Sequence, residues 1–355
     1  MAPSSNQSIP VDQWRTTTVV VRDYKAVLAN FARFFGISSW DVRNVDTSDC
    51  DGYTYEGKAA SAQWVSVVGK TDKLGIELVQ PISGDSAYQT FLDTTGEGMF
   101  GVYATQCSDA EFTGLQSGLL KDEGVSLLQS LSVAGQADVY WLDTRDLIAN
   151  IVVKVVCPQS ADFQGRVADE VVEFDLATLG PQFMPTGAML HIGVVCADRD
   201  KVKSALQRLF GGGRWIEFNI ESGVSMDNTT YYGESCYHAY DNHVGRFDSL
   251  CFELITSRSS HNVYDEFFNE RGEGMHHTFP CLVSEAEFAV AQPLLEAADM
   301  PIIQGGDIGD LMTYYYIDSR RYLPGITTEV VIPLRDDWKN LMFDSPEDAA
   351  ILTGE

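Results

Sequence analysis

Two acids stand where acids are costly. Glu253 lies in CFELIT between Phe252 and Leu254, and Glu329 lies in TTEVVIP. An unpaired buried carboxylate costs several kcal/mol, so each acid needs a partner. One metal ion is an economical partner for both. Imidazoles are confined to the same part of the chain: all six histidines lie at or after His191. In MLHIGVV, strand alternation puts His191 on one face with Gly193, which leaves space beside it. Leu190, Ile192 and Val194 take the other face. In ESCYHAYD the same alternation groups Tyr232, Glu234, Cys236 and His238, opposite Tyr237. If that face looks into a cavity, His238 is a candidate base or acid near neutral pH; otherwise it is a surface histidine. His276 is expected to face away from His277 and pack. His243 and His261, in polar stretches, read as surface. The GEG motifs at 96–98 and 272–274 are turns before strands and lack the context of a nucleotide loop. In the YYY run at 314–316, Tyr314 and Tyr316 share a face, mainly as core.

These residues are positioned by a chain that repeats itself. LDTTGEGMFGVY (92–103) returns as FNERGEGMHHTF (268–279), FFGISSW as LFGGGRW, and YWLDTRDL as YYIDSRRY, always about 175 residues on. That is duplication of a whole domain. Domain one runs from about 13 to 156 and domain two from 187 to 334. Residues 157–186 form a Pro- and Gly-containing linker in which EVVEF adds a strand or a short helix. Residues 335–355 are an acidic tail. Each domain splits again into strand, helix and three strands: MLHIGVV, then DRDKVKSALQRLF with apolar residues at helical spacing, then WIEFNI, ESCYHAYD and SLCFELIT. The fold class is α+β, with four βαβββ modules forming two curved mixed sheets flanked by helices.

Paired βαβββ modules, LHIGVV, an (I/F)EL strand before a helix, and GEGMHH opening the next module resemble the vicinal oxygen chelate superfamily. This group includes glyoxalase I, bleomycin resistance proteins, methylmalonyl-CoA epimerase and extradiol dioxygenases. The resemblance covers both domains. It implies one divalent metal per pair of modules, with ligands from the first and last strand of each module. In domain two these are His191, Glu253, His277 and Glu329. The repeat maps them to Thr16, Glu77, Gly101 and Lys154. Domain one is therefore expected to lack a metal and to brace the active domain.

A shell of two imidazoles and two carboxylates suits Zn, Mn, Co, Ni or Fe(II), zinc placed first. The resemblance implies an epimerase or isomerase that moves a proton α to a carbonyl through a metal-stabilised enolate. Glu253, Glu329 or His238 would be its base. The tandem architecture resembles the 2-epi-5-epi-valiolone epimerases, which act on a cyclic polyhydroxy ketone. The alternatives are an Fe(II)-dependent dioxygenase of the 4-hydroxyphenylpyruvate or extradiol type, with His191, His277 and Glu329 as its triad, and a metal-binding protein without catalysis.

Composition bounds the partners. Against 24 Lys and Arg stand 51 Asp and Glu, a net charge of −27. That opposes nucleic acids, anionic membranes and CoA thioesters, and leaves a small carbonyl compound as the expected substrate. Seven scattered cysteines without a CxxC pair, and a start without a signal pattern, point to reduced thiols in the cytoplasm. A homodimer is plausible, although four modules can complete the site in one chain.

Overall fold

The computed structural model describes residues 8–10, 16–70, 75–160, 163, 166–185, 190–247, 250–280 and 282–353. The expected domain starts at 13 and 187, Cys281 and the end of the tail at 354–355 lie outside the described residues.

The first half builds eight main strands: β1 (Thr16–Val20), β2 (Ser39–Asp46), β3 (Ala62–Lys70), β4 (Gly75–Gly84), β5 (Gly98–Gln106), β6 (Leu127–Val133), β7 (Ala137–Leu142) and β8 (Val152–Pro158). The second half repeats them as β9 (His191–Val195), β10 (Trp215–Glu221), β11 (Ala239–Phe247), β12 (Leu250–Ser257), β13 (Gly274–Phe279), β14 (Ile302–Ile308), β15 (Met312–Ile317) and β16 (Thr327–Pro333). Each half is one curved mixed sheet. The order is β2-β3-β4-β1-β5-β8-β7-β6 in the first and β10-β11-β12-β9-β13-β16-β15-β14 in the second, with short strands added at the edges. EVVE (Glu170–Glu173) is one of these, paired antiparallel with β2.

Helix signals in the sequence are used as written. In α1 (Tyr24–Phe35) the Asp23 carboxylate accepts from the amides of Lys25 and Ala26, and Gly36 ends the helix at φ +67°. In α2 (Arg199–Phe210) Asp198 caps Lys201, and Val202, Ala205, Leu206 and Leu209 are buried at the expected spacing. These helices meet Ile192 and Val194 in one apolar core shared by both halves. Polar links also join the halves: Arg271 donates to the Glu97 carbonyl and Asn150 to that of Glu273, both at 2.8 Å. Among the described residues no helix is long and apolar enough to cross a membrane.

The GEG turns have the same structural role twice. Glu97 accepts from the Arg22 amide and Glu273 from the Ala197 amide, each at 2.8 Å, pinning the end of the first strand to the turn.

The acidic tail is not a loose appendage. It folds as α3 (Trp338–Met342) and α4 (Pro346–Thr353). Trp338, Phe343 and Ala349 are buried with Tyr314, Tyr316 and Val331, on the face of the second sheet away from the helical core.

ESCYHAYD is not one strand. Tyr231 and Glu234 close a hairpin whose central residues, Tyr232 and Gly233, have φ of +49° and +81°. Positive φ at both positions is what a two-residue turn requires. Residues 236–238 then leave the strand, so the expected alternation from Tyr232 to His238 does not exist.

Candidate metal centre

Four adjacent strands, β12-β9-β13-β16, carry Glu253, His191, His277 and Glu329 in that order. Their ligand atoms lie within 4.8 Å of one another, and all four residues are buried. His191 Nε2 is 2.9 Å from Glu329 Oε2 and 3.3 Å from Glu253 Oε2. His277 Nε2 is 3.4 Å and 3.2 Å from the same two atoms. The two Nε2 atoms are 3.3 Å apart. At bond lengths of about 2.1 Å, neighbouring ligands are about 3.0 Å apart in an octahedron and about 3.4 Å apart in a tetrahedron, so this set matches a small divalent ion. Both Oε2 atoms are buried without a hydrogen-bond partner. A cation is the natural occupant of such a point.

Without an ion the charges settle on one another. Burial opposes charge on His191, but the carboxylates of Glu253 and Glu329 raise its imidazole to about 9. His277 is raised for the same reason. Burial pushes Glu253 up, yet the imidazoles more than offset it and hold the acid well below the carboxylate range; Glu329 is lowered as well.

Backbone register explains the convergence. Gly193 pairs across the sheet with His277 on one side and Glu253 on the other. The space beside Gly193 is not open as expected: it holds the His277 ring. Leu190 packs against the apolar cluster on the metal face, not with the helices. A β-bulge puts His277 opposite Gly193 and Met275 opposite Val194, leaving His276 as the extra residue. His276 therefore does not point away from His277. Its Nδ1 is 3.0 Å from His277 Nδ1. Burial drives the His276 pKa well down, so it stays neutral and can accept the proton that His277 must keep on Nδ1 when Nε2 binds a metal. Its ring also packs on Tyr264, Phe267 and Tyr316, as expected of a core histidine.

Asn242, on β11, donates its amide to Glu253 Oε1. Tyr264 and Tyr316 share a hydroxyl hydrogen bond of 2.7 Å, and the Tyr316 ring centroid is 5.0 Å from that of His277. Asn242 and Tyr264 were not singled out from sequence, and Tyr316 was read mainly as core. The repeat held the signal for Asn242, because its counterpart Ser66 donates to Glu77 Oε1 in the first half.

The remaining histidines lie elsewhere. His238 is fully buried, not a surface residue; neither ring nitrogen has a partner, and burial lowers its pKa to about 4. It is outside the converging four. His243, expected at the surface, is buried beside Arg199, with Asp200 and Glu217 within 3.7 Å. His261 is exposed, as expected.

The first half shows what replaced the four. Thr18 pairs with Gly101 where Gly193 pairs with His277. Lys154 Nζ stands 2.6 Å from Glu77 Oε2, which also accepts from Thr18; Ser66 holds Oε1. Burial raises the Glu77 pKa, but Lys154 and the hydroxyls more than reverse this. An ammonium ion and two hydroxyls thus satisfy the acid that in the second half faces two imidazoles.

No family model and no curated protein matches the sequence. Solved structures do. A triple mutant of 4-hydroxymandelate synthase from Streptomyces coelicolor matches at a TM-score of 0.51 and 12% identity, covering 91% of this chain and 93% of that one. The chain has the tandem fold of the vicinal oxygen chelate superfamily. BphC, a halotolerant catechol dioxygenase, matches at 0.41 and 13%, covering 93% and 91%. A hypothetical protein from Bacillus halodurans C-125 matches at 0.31 and 16%, covering 43% of this chain and 97% of its own.

Proposed function

We propose that the second half of the chain is a metal-dependent isomerase or epimerase. It would move a proton at the carbon next to the carbonyl of a small polyhydroxy ketone. What carries this reading is the equivalence of the two acids. Glu253 Oε2 and Glu329 Oε2 each lie 2.9–3.4 Å from both imidazole Nε2 atoms. His191, Glu253, His277 and Glu329 would all be protein ligands, which leaves about two positions of a six-coordinate ion for a bidentate substrate. A bound divalent ion would polarise the substrate carbonyl and acidify the neighbouring C–H. The chain's own task is then proton transfer. Glu329 is the base in this reading, because Asn242 anchors Glu253 through its other oxygen. The paired hydroxyls of Tyr264 and Tyr316 lie beside His277 and offer hydrogen bonds to substrate oxygens.

A second reading, an Fe(II)-dependent dioxygenase, has an observation of its own. His191, His277 and Glu329 alone make a set of two histidines and one carboxylate, and a solved structure that shares the tandem fold is a 4-hydroxymandelate synthase. The test is metal analysis of the purified chain, then incubation with hydroxy ketones in D2O beside an oxygen electrode. Deuterium entering the substrate without oxygen uptake supports the isomerase. Oxygen uptake without exchange overturns it in favour of the dioxygenase.

A further inference from the structure

The second half fills the metal face of its sheet with α3, α4 and aromatic side chains. Among the described residues, the first half does not. There the corresponding face encloses a cavity of about 380 Å³ around the counterpart of the metal site. A cavity of roughly 150 Å³ already admits benzene, so this one takes a ring with a side chain. Trp64, Trp141 and Tyr88 wall it, with Val68, Leu131 and Val156 among its aliphatic contacts, and exposed Gln136 marks its mouth.

Its polar floor is specific. Lys154, itself buried, has one of its three N–H groups taken by Glu77. Thr16, at the position of His191, is 5% exposed and lines the cavity, and its hydroxyl has no partner. Thr16 and Lys154 flank Tyr103 from the two neighbouring strands, and an orphaned hydroxyl lining the same cavity as an ammonium ion is a place prepared for an acceptor oxygen. Charge points the same way. In a chain of net charge −27, the cavity lining holds Arg43, Lys154 and Arg166 against the single acid Glu77. Arg43 is bonded to Asp41 and Arg166 lies 3.9 Å from Asp169, so the arginines are paired with acids outside the lining and Lys154 is the cation of the floor.

We propose that this cavity is a metal-free binding site for a small aromatic carboxylate. The ring lies between the tryptophans, and the carboxylate meets Lys154 and Thr16. The two halves would then hold different ligands: a metal with its substrate in one, an organic acid in the other. The proposal does not depend on which reaction the metal centre performs.

The experiment follows tryptophan fluorescence of the full chain during titration with phenylacetate and with phenylacetamide, its neutral analogue. Saturable quenching is expected, with phenylacetate at least tenfold tighter and unchanged by chelator. Glu77→Leu/Lys154→Leu should stay folded by circular dichroism and lose the preference for the acid, because an ion pair replaced as a unit by apolar side chains leaves no buried charge. Thr16→Val, which keeps the pair, should weaken phenylacetate severalfold and serves if the double variant does not fold. The proposal is overturned if neither compound saturates, if both bind equally, if chelator abolishes binding, if the preference for the acid survives in the folded double variant, or if Thr16→Val binds phenylacetate as tightly as the parent chain.

Discussion

Gly193 faces His277 across the β9–β13 ladder so closely that a Cβ at position 193 would lie 1.8 Å from His277 Cε1. The imidazole occupies the volume that any other residue would claim. Gly193→Ala is therefore expected to displace His277 and to lower metal affinity by about 10–100-fold, the range seen when a supporting contact is lost. Metal titration with a competing chelator measures it, with circular dichroism confirming the fold. Unchanged affinity would show that His277 does not bind the ion.

Glu253→Ala separates the two readings of the centre. With four ligands, the variant loses metal affinity at least tenfold and loses deuterium exchange. With a three-residue centre, it keeps its metal and turns over dioxygen.

His276→Phe keeps the aromatic packing and removes the acceptor for His277 Nδ1. Metal affinity should fall about tenfold with little change in denaturation midpoint. A large loss of stability with intact affinity would assign His276 to packing alone.

The pH dependence of the metal-free protein has a definite sign. His191 is raised from 6.5 to about 9, so its contribution to stability is complete below 6.5 and is lost as pH rises through 9. Glu253 and Glu329 are lowered from 4.5, so theirs is present above that value and is lost as pH falls. Chelator-treated protein should lose stability from pH 6.5 to 9, and His191→Gln should flatten that limb. Metal affinity should rise over the same interval, because binding expels the His191 proton. Calorimetry in buffers of different ionisation enthalpy would count it.

Trp338 is 4% exposed within the apolar cluster that covers the second sheet. Trp338→Ala should cost about 3–5 kcal/mol in chemical denaturation. A cost below about 1 kcal/mol would mean that the tail is not part of the folded unit.

Much of this was legible because the chain is written twice. The repeat spacing aligns Thr16, Glu77, Gly101 and Lys154 with the four converging residues, and the strand registers reproduce that alignment. Period-two alternation placed Tyr314 and Tyr316 together on the metal face, with Tyr315 stacked on Phe288 behind. It failed at His276 and His238, where a bulge and a hairpin turn break the period; a bulge costs one residue and leaves no mark in apolar patterning. The fold of the acidic tail was not legible because its apolar residues, Trp338, Phe343, Ala349 and Ile351, are thinly spread among acids.

The reversed pairing of Gly193 with His277 and Thr18 with Gly101 makes the two halves poor templates for each other. A histidine at 101 would meet the Thr18 side chain across the ladder, and a Cβ at 101 already falls 2.3 Å from the Val152 carbonyl oxygen. A glycine at 18 introduced first would strip Glu77 of a hydroxyl donor. Every single-step route between the two chemistries thus crosses a broken intermediate. Gene conversion or drift that swaps one residue at a time is penalised in both directions, and the division of labour between the halves is locked by geometry.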